Sequence, residues 1–490
     1  MRYRSTRGGV TDCSFIEAVL MGLAPDRGLT VPKTIPQVSK ATLEAWQKLS
    51  FPELATEIIS LYVDEDEISK AELKTLAETA YGTFRTKDVT PVTTLDKDSD
   101  LYLLELFHGP TYAFKDVALQ FLGVLFELIL KKGHGSGRLT IVGATSGDTG
   151  SSAIAGIRGR DGVECFILYP ENRTSPIQEA QMCAYEDENV HAIAVSGAFF
   201  DDCQKIVKGL FADRPFHAKH SLGAVNSINW ARIVAQIVYY FYAAFRMQEL
   251  APGAPAPCFS VPTGNFGDVL AGWYAKAMGC PCRKLIVATN QNDILARFFA
   301  TGTYDRPPSA VVTLAPSMDI SVSSNFERFV FHCGEDDPAA LKKLMDSFEN
   351  TGAFTAPGPV WEAAKAEMAS TAVQHDAILE TIRRWKAKAG YVLDPHTAVG
   401  VKAAEVLRAD VGAGPLVCLA CAHYGKFPSA VSAALGAEND VEECKPLTDL
   451  LARPMRKTVL KNSAATIRDF IEKTMAEAAG RPSKKPKVVG

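Results

Sequence analysis

The sequence predicts an α/β protein whose sheets are doubly wound and mainly parallel. From Leu101 onward, short apolar runs alternate with segments that have the pattern of amphipathic helices. Most of these runs are continuously apolar, as expected for parallel strands that are buried on both faces. The chain has 490 residues, which is long enough for more than one domain and a large core. We therefore expect ligand-binding loops at the carboxyl ends of the strands.

The N-terminal residues, from Met1 to about Asp100, are predicted to be mostly helical. Apolar residues recur there at helical spacing in four segments. A segment rich in proline and glycine, Gly28–Pro36, separates the first two. The four predicted helices are Ser14–Met21, Thr42–Trp46, Phe51–Val63 and Ser69–Ala80.

Seven strands are predicted in the rest of the chain, and most precede a helical pattern. The charged stretch from Ala339 to Ala389 is predicted to be helical, with an interruption at Gly352–Pro359. The basic tail Arg481–Gly490 is predicted to be a solvated terminus. The seven strands are Leu101–Phe107, Leu139–Gly143, Cys165–Tyr169, Val190–Val195, Cys258–Val261, Lys284–Thr289 and Leu416–Ala420.

Composition limits the class of protein. The formal net charge of -4 and the pI near 6.2 argue against a general nucleic-acid binder. The eleven cysteines are scattered, and Cys280-Pro-Cys282 is too close a pair to predict a zinc site. The most apolar run, Trp230–Phe245, contains Arg232 and is too short to span a bilayer. We expect a cytoplasmic protein without a signal peptide, with reduced thiols, no metal, and no membrane or nucleic-acid partner.

One lysine, Lys115, lies near the end of the segment Leu-Phe-His-Gly-Pro-Thr-Tyr-Ala-Phe-Lys-Asp. A helix, Asp116–Leu130, is predicted directly after it, so Lys115 should lie at a rigid and partly apolar helix N-terminus. Burial and the positive end of the helix dipole both disfavour an ammonium ion there. A neutral amine suits a lysine that forms a Schiff base. The segment alone is equally compatible with an ordinary ion pair between Lys115 and Asp116.

Two glycine-rich turns join strands to helices and predict anion-binding sites. The first glycine loop, Ser146–Gly150, reads Ser-Gly-Asp-Thr-Gly, and the second, Gly264–Asp268, reads Gly-Asn-Phe-Gly-Asp. Glycines let the backbone approach a ligand closely, and the first N–H groups of a helix are free to bind an anion. A carboxylate or phosphate suits the first loop. The second lacks a Walker or G-x-G-x-x-G pattern, so the phosphate of a small cofactor suits it better than a nucleotide. Both turns are also compatible with ordinary helix caps.

These motifs, with others along the chain, resemble those of the threonine synthase family. The resemblance implies an enzyme that depends on pyridoxal phosphate and has the type II fold, similar to the tryptophan synthase β chain, with two subdomains. It implies a mostly helical N-terminal region at 1–100, a catalytic α/β region at 101–445, and a helical extension with the basic tail at 446–490. The segments that carry the resemblance are Tyr3–Arg7, Gly22–Pro32, Leu106–Asp116, Ala144–Gly150, Asn226–Asn229, Pro262–Asp268, Met318–Asp319, Asp394–His396 and Ala422–Phe427.

The resemblance also implies roles for single residues. The family's lysine that holds the cofactor as a Schiff base matches Lys115, which is the implied catalytic residue. Asp268 cannot itself attract a phosphate, so we expect it to bind backbone groups or cap the following helix. The implied cofactor-binding residues are Lys115, Gly264, Asn265, Phe266, Gly267, Asp268 and Cys421. The implied substrate-binding residues are Thr111, Ser146, Gly147, Asp148, Thr149, Gly150, Ser151 and Lys426, with Ser323, Asn325 and Arg232 as further candidates for the substrate phosphate.

The implied reaction converts O-phospho-L-homoserine and water to L-threonine and phosphate, in a monomer or homodimer that serves amino-acid biosynthesis. One motif departs from the family, which usually has Thr-Ala-His-Pro-Ala-Lys-Phe where this chain has Cys421-Ala-His-Tyr-Gly-Lys-Phe427. A thiol is a weaker hydrogen-bonding group than a hydroxyl. Two alternatives therefore stay open. One is a phospholyase that releases a 2-oxo acid, ammonia and phosphate, and the other is a catalytically silent paralogue that binds the cofactor.

Overall fold

The protein is described by a computed structural model that covers residues 1–134 and 137–479. The chain divides into two compact units, and each unit is built from two separate stretches of sequence. Unit 1 contains Met1–Ala118 and Ser227–Glu443, and unit 2 contains Leu119–Asn226 and the chain from Cys444 onward. The basic tail predicted at Arg481–Gly490 lies outside the described residues.

The strands are short, and most of the buried ones coincide with the apolar runs of the sequence. In the described residues they are β1 (Tyr3–Ser5), β2 (Thr30–Pro32), β3 (Val92–Asp96), β4 (Leu101–Glu105), β5 (Leu139–Ala144), β6 (Val163–Pro170), β7 (Val190–Ser196), β8 (Leu222–Gly223), β9 (Cys258–Pro262), β10 (Leu285–Thr289), β11 (Thr303–Asp305), β12 (Ala353–Thr355), β13 (Met368–Ala372), β14 (Leu416–Ala420) and β15 (Lys457–Lys461).

The helices follow most of the strands, as expected for an α/β protein. In the described residues they are α1 (Phe15–Met21), α2 (Lys40–Trp46), α3 (Phe51–Ser60), α4 (Lys70–Tyr81), α5 (Lys115–Lys131), α6 (Asp148–Ile157), α7 (Pro176–Cys183), α8 (Phe200–Ala212), α9 (Arg214–His220), α10 (Trp230–Leu250), α11 (Gly267–Ala277), α12 (Ile294–Thr301), α13 (Phe326–Cys333), α14 (Pro338–Thr351), α15 (Gly358–Glu367), α16 (His375–Ala389), α17 (Pro395–Val406), α18 (Arg408–Val411), α19 (Pro428–Leu435), α20 (Lys445–Thr448) and α21 (Ala464–Ala479). None of them is both long and apolar enough to cross a membrane.

Unit 1 is built on a six-stranded sheet with the order β13-β10-β9-β14-β4-β3. Neighbouring strands are parallel, except that β3 runs antiparallel to β4 at one edge. Every residue of β4, β9, β10 and β14 is buried, because helices cover both faces of the central strands. Two antiparallel pairs, β1 with β2 and β11 with β12, complete the strands of this unit.

Unit 2 is built on a five-stranded sheet with the order β15-β7-β6-β5-β8, and all of its neighbours are parallel. The central strand β6 is buried along its whole length. Beside the sheet, α5 and α6 approach so closely that a Cβ atom on Gly123 would lie 2.1 Å from the carbonyl oxygen of Gly156. Glycine is therefore required at this crossing, since a side chain would force the two backbones apart.

The predicted fold class is confirmed, and each of the seven predicted strands is present with ends shifted by a few residues. The prediction of continuous helix within Ala339–Ala389 was wrong at β13, which pairs in parallel with β10. The C-terminal extension was predicted to be helical, but it contains β15, which pairs with β7. Both are edge strands of small or alternating polar residues. Their conformation depends on pairing with a distant strand more than on local preference.

Candidate functional site

Lys115 is the first residue of α5. It lies in unit 1, near the carboxyl ends of the parallel strands β4 and β14. The backbone before it is bound to the segment that follows β14. The N–H group of Phe114 donates to the carbonyl of Cys421 at 2.7 Å, and that of His423 donates to the carbonyl of Tyr112 at 3.1 Å. The lysine side chain is buried, with 7% of its surface exposed. These bonds fix Lys115 beside the segment that contains Cys421.

The Gly-Pro turn before Lys115 is organised by Asp116. Its carboxylate accepts hydrogen bonds from the backbone N–H and the hydroxyl of Thr111, each at 2.7 Å. The ammonium group of Lys426 donates to the carbonyl of Thr111 at 2.8 Å. Thr111, Asp116 and Lys426 are all fully buried. Asp116 therefore has a role in the turn itself, beyond the simple ion pair with Lys115 considered from the sequence.

A serine that the sequence analysis did not single out lies beside the lysine. Ser317 belongs to a single turn of 3-10 helix, and its hydroxyl oxygen is 3.4 Å from Lys115 Nζ. The backbone N–H of Ser317 donates to His396 Nε2 at 3.1 Å. The other ring nitrogen, Nδ1, is 2.8 Å from the carboxylate of Asp394. Because Nε2 accepts a hydrogen bond, the ring proton of a neutral His396 is on Nδ1, where Asp394 accepts it.

The second glycine loop has its carbonyl groups fixed by two side chains of the same unit. The hydroxyl of Ser323 donates to the carbonyl of Gly264 at 2.6 Å. The amide of Asn325 donates to the carbonyl of Asn265 at 3.0 Å. In the part of the chain that the structure describes, the N–H groups of Gly264, Asn265 and Phe266 donate to no protein acceptor. The loop therefore presents unpaired N–H groups at the start of α11, as an anion site requires.

The left-handed residue of this loop is Phe266, with φ of 63°, and neither Gly264 nor Gly267 has a positive φ. A phenylalanine in this conformation costs on the order of 1 kcal/mol. The Phe266 ring packs against Phe326 and Phe329 of α13, with ring centroids 5.1 and 5.5 Å away. This packing holds Phe266 in its strained conformation.

Asp268 does not cap α11, and in this respect the sequence-based expectation was wrong. Its carboxylate accepts hydrogen bonds from the hydroxyls of Tyr239 and Tyr240 on α10, at 2.5 and 2.8 Å. The second carboxylate oxygen, Oδ2, is buried and has no partner among the described residues. Burial raises the pKa of Asp268 to about 6, although the two tyrosine hydrogen bonds and the charge of Lys115 lower it. This carboxyl group ties the second glycine loop to α10.

Cys421 directly follows β14 and is buried. Its N–H group donates to the hydroxyl oxygen of Thr397 at 3.0 Å. Its sulfur lies 3.7 Å from the carbonyl of Leu419. The thiol at the family's threonine position is thus held in the loop that also binds Phe114.

The first glycine loop belongs to unit 2, and two of its N–H groups are not free, contrary to the sequence-based expectation. The N–H groups of Gly147 and Gly150 both donate to the hydroxyl oxygen of Thr145, at 2.9 Å. Gly147 has φ of 147°, and a Cβ atom there would collide with Gln178. Thr145 therefore shapes the loop from within, which no pattern in the sequence indicated.

The other members of the first glycine loop differ in exposure. Asp148 is buried and accepts a hydrogen bond from the amide of Gln178 at 2.9 Å. Ser151 is fully buried, and its hydroxyl donates to the carbonyl of Asp148 at 3.1 Å. Ser146 and Thr149 are half-buried. Among the predicted substrate-binding residues of this loop, Ser146 and Thr149 are therefore the most accessible to a ligand.

The further candidates for the substrate phosphate are placed differently from one another. Ser323 and Asn325 bind carbonyl groups of the second glycine loop, so they support that loop directly. Arg232 is buried on α10, and burial lowers its pKa to about 10. It keeps its positive charge at neutral pH.

The structure also brings together residues that sequence reasoning left apart. Ser317 and His396 are 79 positions apart, and Asp268 and Tyr239 are 29 apart. The motifs Met318–Asp319 and Asp394–His396 gave a signal for these segments, but nothing along the chain pairs them.

Comparison with known proteins assigns the family. Three family models match in order: the N terminus of threonine synthase at residues 2–81, pyridoxal-phosphate dependent enzymes at 85–422, and the C-terminal region of threonine synthase at 397–471. A threonine synthase of Schizosaccharomyces pombe is 47% identical, over 89% of this chain and 90% of its own. The crystal structure of threonine synthase from yeast is similar, with a TM-score of 0.92, 43% identity, and coverage of 97% and 99% of the two chains. The structure of the pyridoxal-phosphate-bound enzyme from Brucella melitensis has a TM-score of 0.90 at 42% identity, with the same coverage. The chain therefore belongs to the threonine synthase family.

Proposed function

We propose that this protein is a pyridoxal-phosphate-dependent lyase of threonine biosynthesis, which converts O-phospho-L-homoserine and water to L-threonine and phosphate. The observation that carries the proposal is the position of Lys115. It is a buried lysine at a helix N-terminus. The turn that contains Ser317 contacts this lysine and also packs against Gly264 of the second glycine loop. The amine and an anion-binding loop of one unit are thereby joined through Ser317.

The residues of unit 1 fit the cofactor. Lys115 supplies the amine for a Schiff base, and Gly264, Asn265 and Phe266 supply N–H donors suited to a phosphate. Cys421 is proposed to face the ring nitrogen, and Gly267 and Asp268 to keep the loop in place. When bound, pyridoxal phosphate supplies an electron sink for the negative charge that develops on the substrate.

The protein's own groups have separate tasks in this proposal. The amine of Lys115, once released by the substrate, moves protons at the α and β carbons. The first glycine loop, with Ser146, Gly147, Asp148, Thr149, Gly150 and Ser151, is proposed to bind the substrate carboxylate. Thr111 and Lys426 are proposed to act near the leaving phosphate, where the buried ammonium group of Lys426 stabilises negative charge.

The proposal extends to the organisation and location of the protein. The change from helical to alternating pattern near residue 100 supports an N-terminal region at 1–100 and a catalytic region at 101–445, with an extension at 446–490. The pI near 6.2 supports an enzyme without a nucleic-acid partner. We propose that it acts in the cytoplasm, where its eleven cysteines would stay reduced. We propose a monomer or a homodimer.

Product analysis tests the reaction. Purified, cofactor-loaded protein is incubated with O-phospho-L-homoserine, and phosphate, threonine and 2-oxobutyrate are measured together. We expect equal amounts of phosphate and threonine, and we expect Lys115→Ala to stay folded while losing the cofactor absorbance and turnover. Phosphate with 2-oxobutyrate and ammonia would instead assign a phospholyase, which the thiol of Cys421 leaves open. No phosphate from a fully loaded protein would indicate a silent paralogue.

A further inference from the structure

The hydroxyl group of Ser317 lies beside the amine of Lys115, and hydrogen bonds fix the backbone of this serine. Ser317 lies in the turn Pro316–Met318, and its oxygen is 3.4 Å from Lys115 Nζ. This distance is at the long end of the range for a hydrogen bond, and such contacts often tighten only when a ligand binds. The inference that follows rests on the proposed function, because it requires Lys115 to be the Schiff-base lysine.

Both backbone polar groups of Ser317, its N–H and its carbonyl, are in contact with other segments of unit 1. Its N–H group donates to His396 Nε2 at 3.1 Å, and Asp394 holds the opposite nitrogen of that ring. His396 and Asp394 are almost fully buried, with 3% and 1% of their surfaces exposed. The carbonyl of Ser317 packs on Gly264, where a Cβ atom would lie only 2.9 Å away. The same turn is therefore in contact with the amine and with the second glycine loop.

A second network fixes the chain around this turn. The carboxylate of Asp319 accepts the N–H and the hydroxyl of Thr313, at 2.8 and 2.6 Å. It also accepts the amide of Asn290 at 2.8 Å. Burial raises the pKa of Asp319, so placing this carboxyl group here has a cost. The hydrogen bonds between Asp319 and Thr313 therefore join the segments that precede and follow Ser317.

The chemistry of Lys115 explains why such a partner is useful. The amine alternates between a covalent Schiff base and a free group at the end of a flexible side chain. A free lysine side chain has many accessible rotamers, and this conformational entropy opposes any single productive position of the amine. A hydroxyl can accept from an amine and can also donate to its lone pair, so it suits the amine in either protonation state.

We propose that Ser317 is a catalytic partner of Lys115 that orients its released amine, and that His396 and Asp394 are positioning residues that hold Ser317 in place. The order of contacts is Asp394 to His396, His396 to the Ser317 backbone, and the Ser317 hydroxyl to Lys115 Nζ. No covalent step is assigned to the serine. Its hydroxyl orients Lys115 Nζ, either by accepting a hydrogen bond from the amine or by donating one to it.

The test uses Ser317→Ala, with Ser317→Thr as the conservative variant that retains the hydroxyl. Ser370→Ala is the matched control, because Ser370 is a half-buried serine of the same unit whose hydroxyl donates to a backbone carbonyl at 2.8 Å. Cofactor-free protein is mixed with pyridoxal phosphate, and the rate of Schiff-base formation is followed by absorbance. The visible circular dichroism of the bound chromophore then reports how firmly the chromophore is oriented in the site.

We expect Ser317→Ala to form the Schiff base about three- to tenfold more slowly, and to lose part of the visible dichroism, while its unfolding midpoint stays near that of the wild type. Ser317→Thr should restore both signals. His396→Asn, which removes the support of the serine backbone, should change them in the same direction as Ser317→Ala. If Ser317→Ala matches Ser370→Ala in both signals, the inference is overturned. If Lys115→Ala still forms the chromophore, the proposed function fails instead, so the two failures are distinguishable.

Discussion

At the residue scale, the site depends on buried polar groups whose partners come from other elements. Asp268 shows this most clearly, since one carboxylate oxygen accepts hydrogen bonds from Tyr239 and Tyr240, and the other is buried and has no partner within residues 1–134 and 137–479. Burial favours the neutral form of this carboxyl group. Its protonation state is therefore coupled to the stability of the fold.

The pH dependence of stability follows from that coupling. Burial raises the pKa of Asp268 in the folded protein to about 6, well above the usual range of an aspartate, so the folded protein retains this proton at pH values where the unfolded chain has lost it. The contribution to stability is fully present below about pH 4 and is lost as the pH rises through about 6. The loss is on the order of 3 kcal/mol. We expect cofactor-free Asp268→Asn to be more stable relative to the wild type at pH 7.5 than at pH 4, as measured by urea unfolding.

The control for this comparison is Gln248→Ala, at an exposed residue of α10 that carries no ionisable group. It should keep the same difference from the wild type at both pH values. A constant difference for Asp268→Asn as well would show that Asp268 ionises in the folded protein as it does in the unfolded chain.

At the element scale, the turn Pro316–Met318 and the second glycine loop act as one unit of packing. The Ser317 carbonyl lies so close to Gly264 that a methyl group does not fit there, because a Cβ atom on Gly264 would be 2.9 Å from the carbonyl oxygen. At Gly267 the nearest atom would be 3.4 Å away, which is an ordinary contact. The two glycines of the motif therefore have different physical reasons for being there.

Two alanine substitutions separate these reasons. Gly264→Ala should push the Ser317 turn away from the loop and weaken retention of pyridoxal phosphate by tenfold or more, measured as the dissociation constant of the cofactor. Gly267→Ala should change that constant by less than threefold, because the first turn of α11 tolerates a methyl group. Equal effects of both substitutions would contradict the packing argument and favour close approach of the ligand at each glycine.

At the scale of the whole molecule, the first residues of the chain support a loop that follows much later in the sequence. Glu327 on α13 accepts hydrogen bonds from Thr6 at 2.7 Å and from the Arg7 guanidinium at 2.8 and 2.9 Å. Asn325, just before α13, holds the carbonyl of Asn265. The N-terminal region thus stabilises the second glycine loop through a single helix of the same unit.

Removing the charge of Glu327 tests this connection. Glu327→Gln removes one of the two carboxylates that pair with Arg7 and leaves Glu349 as the other, so we expect a loss of about 2 kcal/mol in the free energy of unfolding. We also expect weaker cofactor binding. The matched control is Lys342→Ala, which breaks the exposed pair of Lys342 with Asp346 on α14 and should cost less than about 1 kcal/mol. Wild-type cofactor affinity in a clearly destabilised Glu327→Gln protein would separate the N-terminal region from the loop.

The sequence predicted the parts of the fold that local patterns determine. Continuous apolar runs marked the buried strands, and the segment ending in Lys115 and the two glycine loops marked candidate ligand-binding residues. It did not predict β13 and β15, whose conformation depends on pairing with β10 and β7. It also did not predict that Asp268 meets two tyrosines or that Ser317 meets His396. Such contacts depend on which faces meet after folding, and one sequence carries no periodic signal for them.

The pairing of β4 with β14 has a consequence for how the protein is made. Leu101 lies beside Leu416, so β4 leaves the ribosome about 300 residues before the strand that covers its inner edge. At roughly 5–20 residues per second, the nascent chain carries an apolar strand with one unpaired edge for roughly 15–60 s, since β3 can pair only with the other edge. Unit 2 likewise waits for β15, which is synthesised long after its neighbour β7. We therefore expect newly made chains to depend on chaperones that shield apolar segments, because each sheet waits for a strand that is synthesised long after its neighbour.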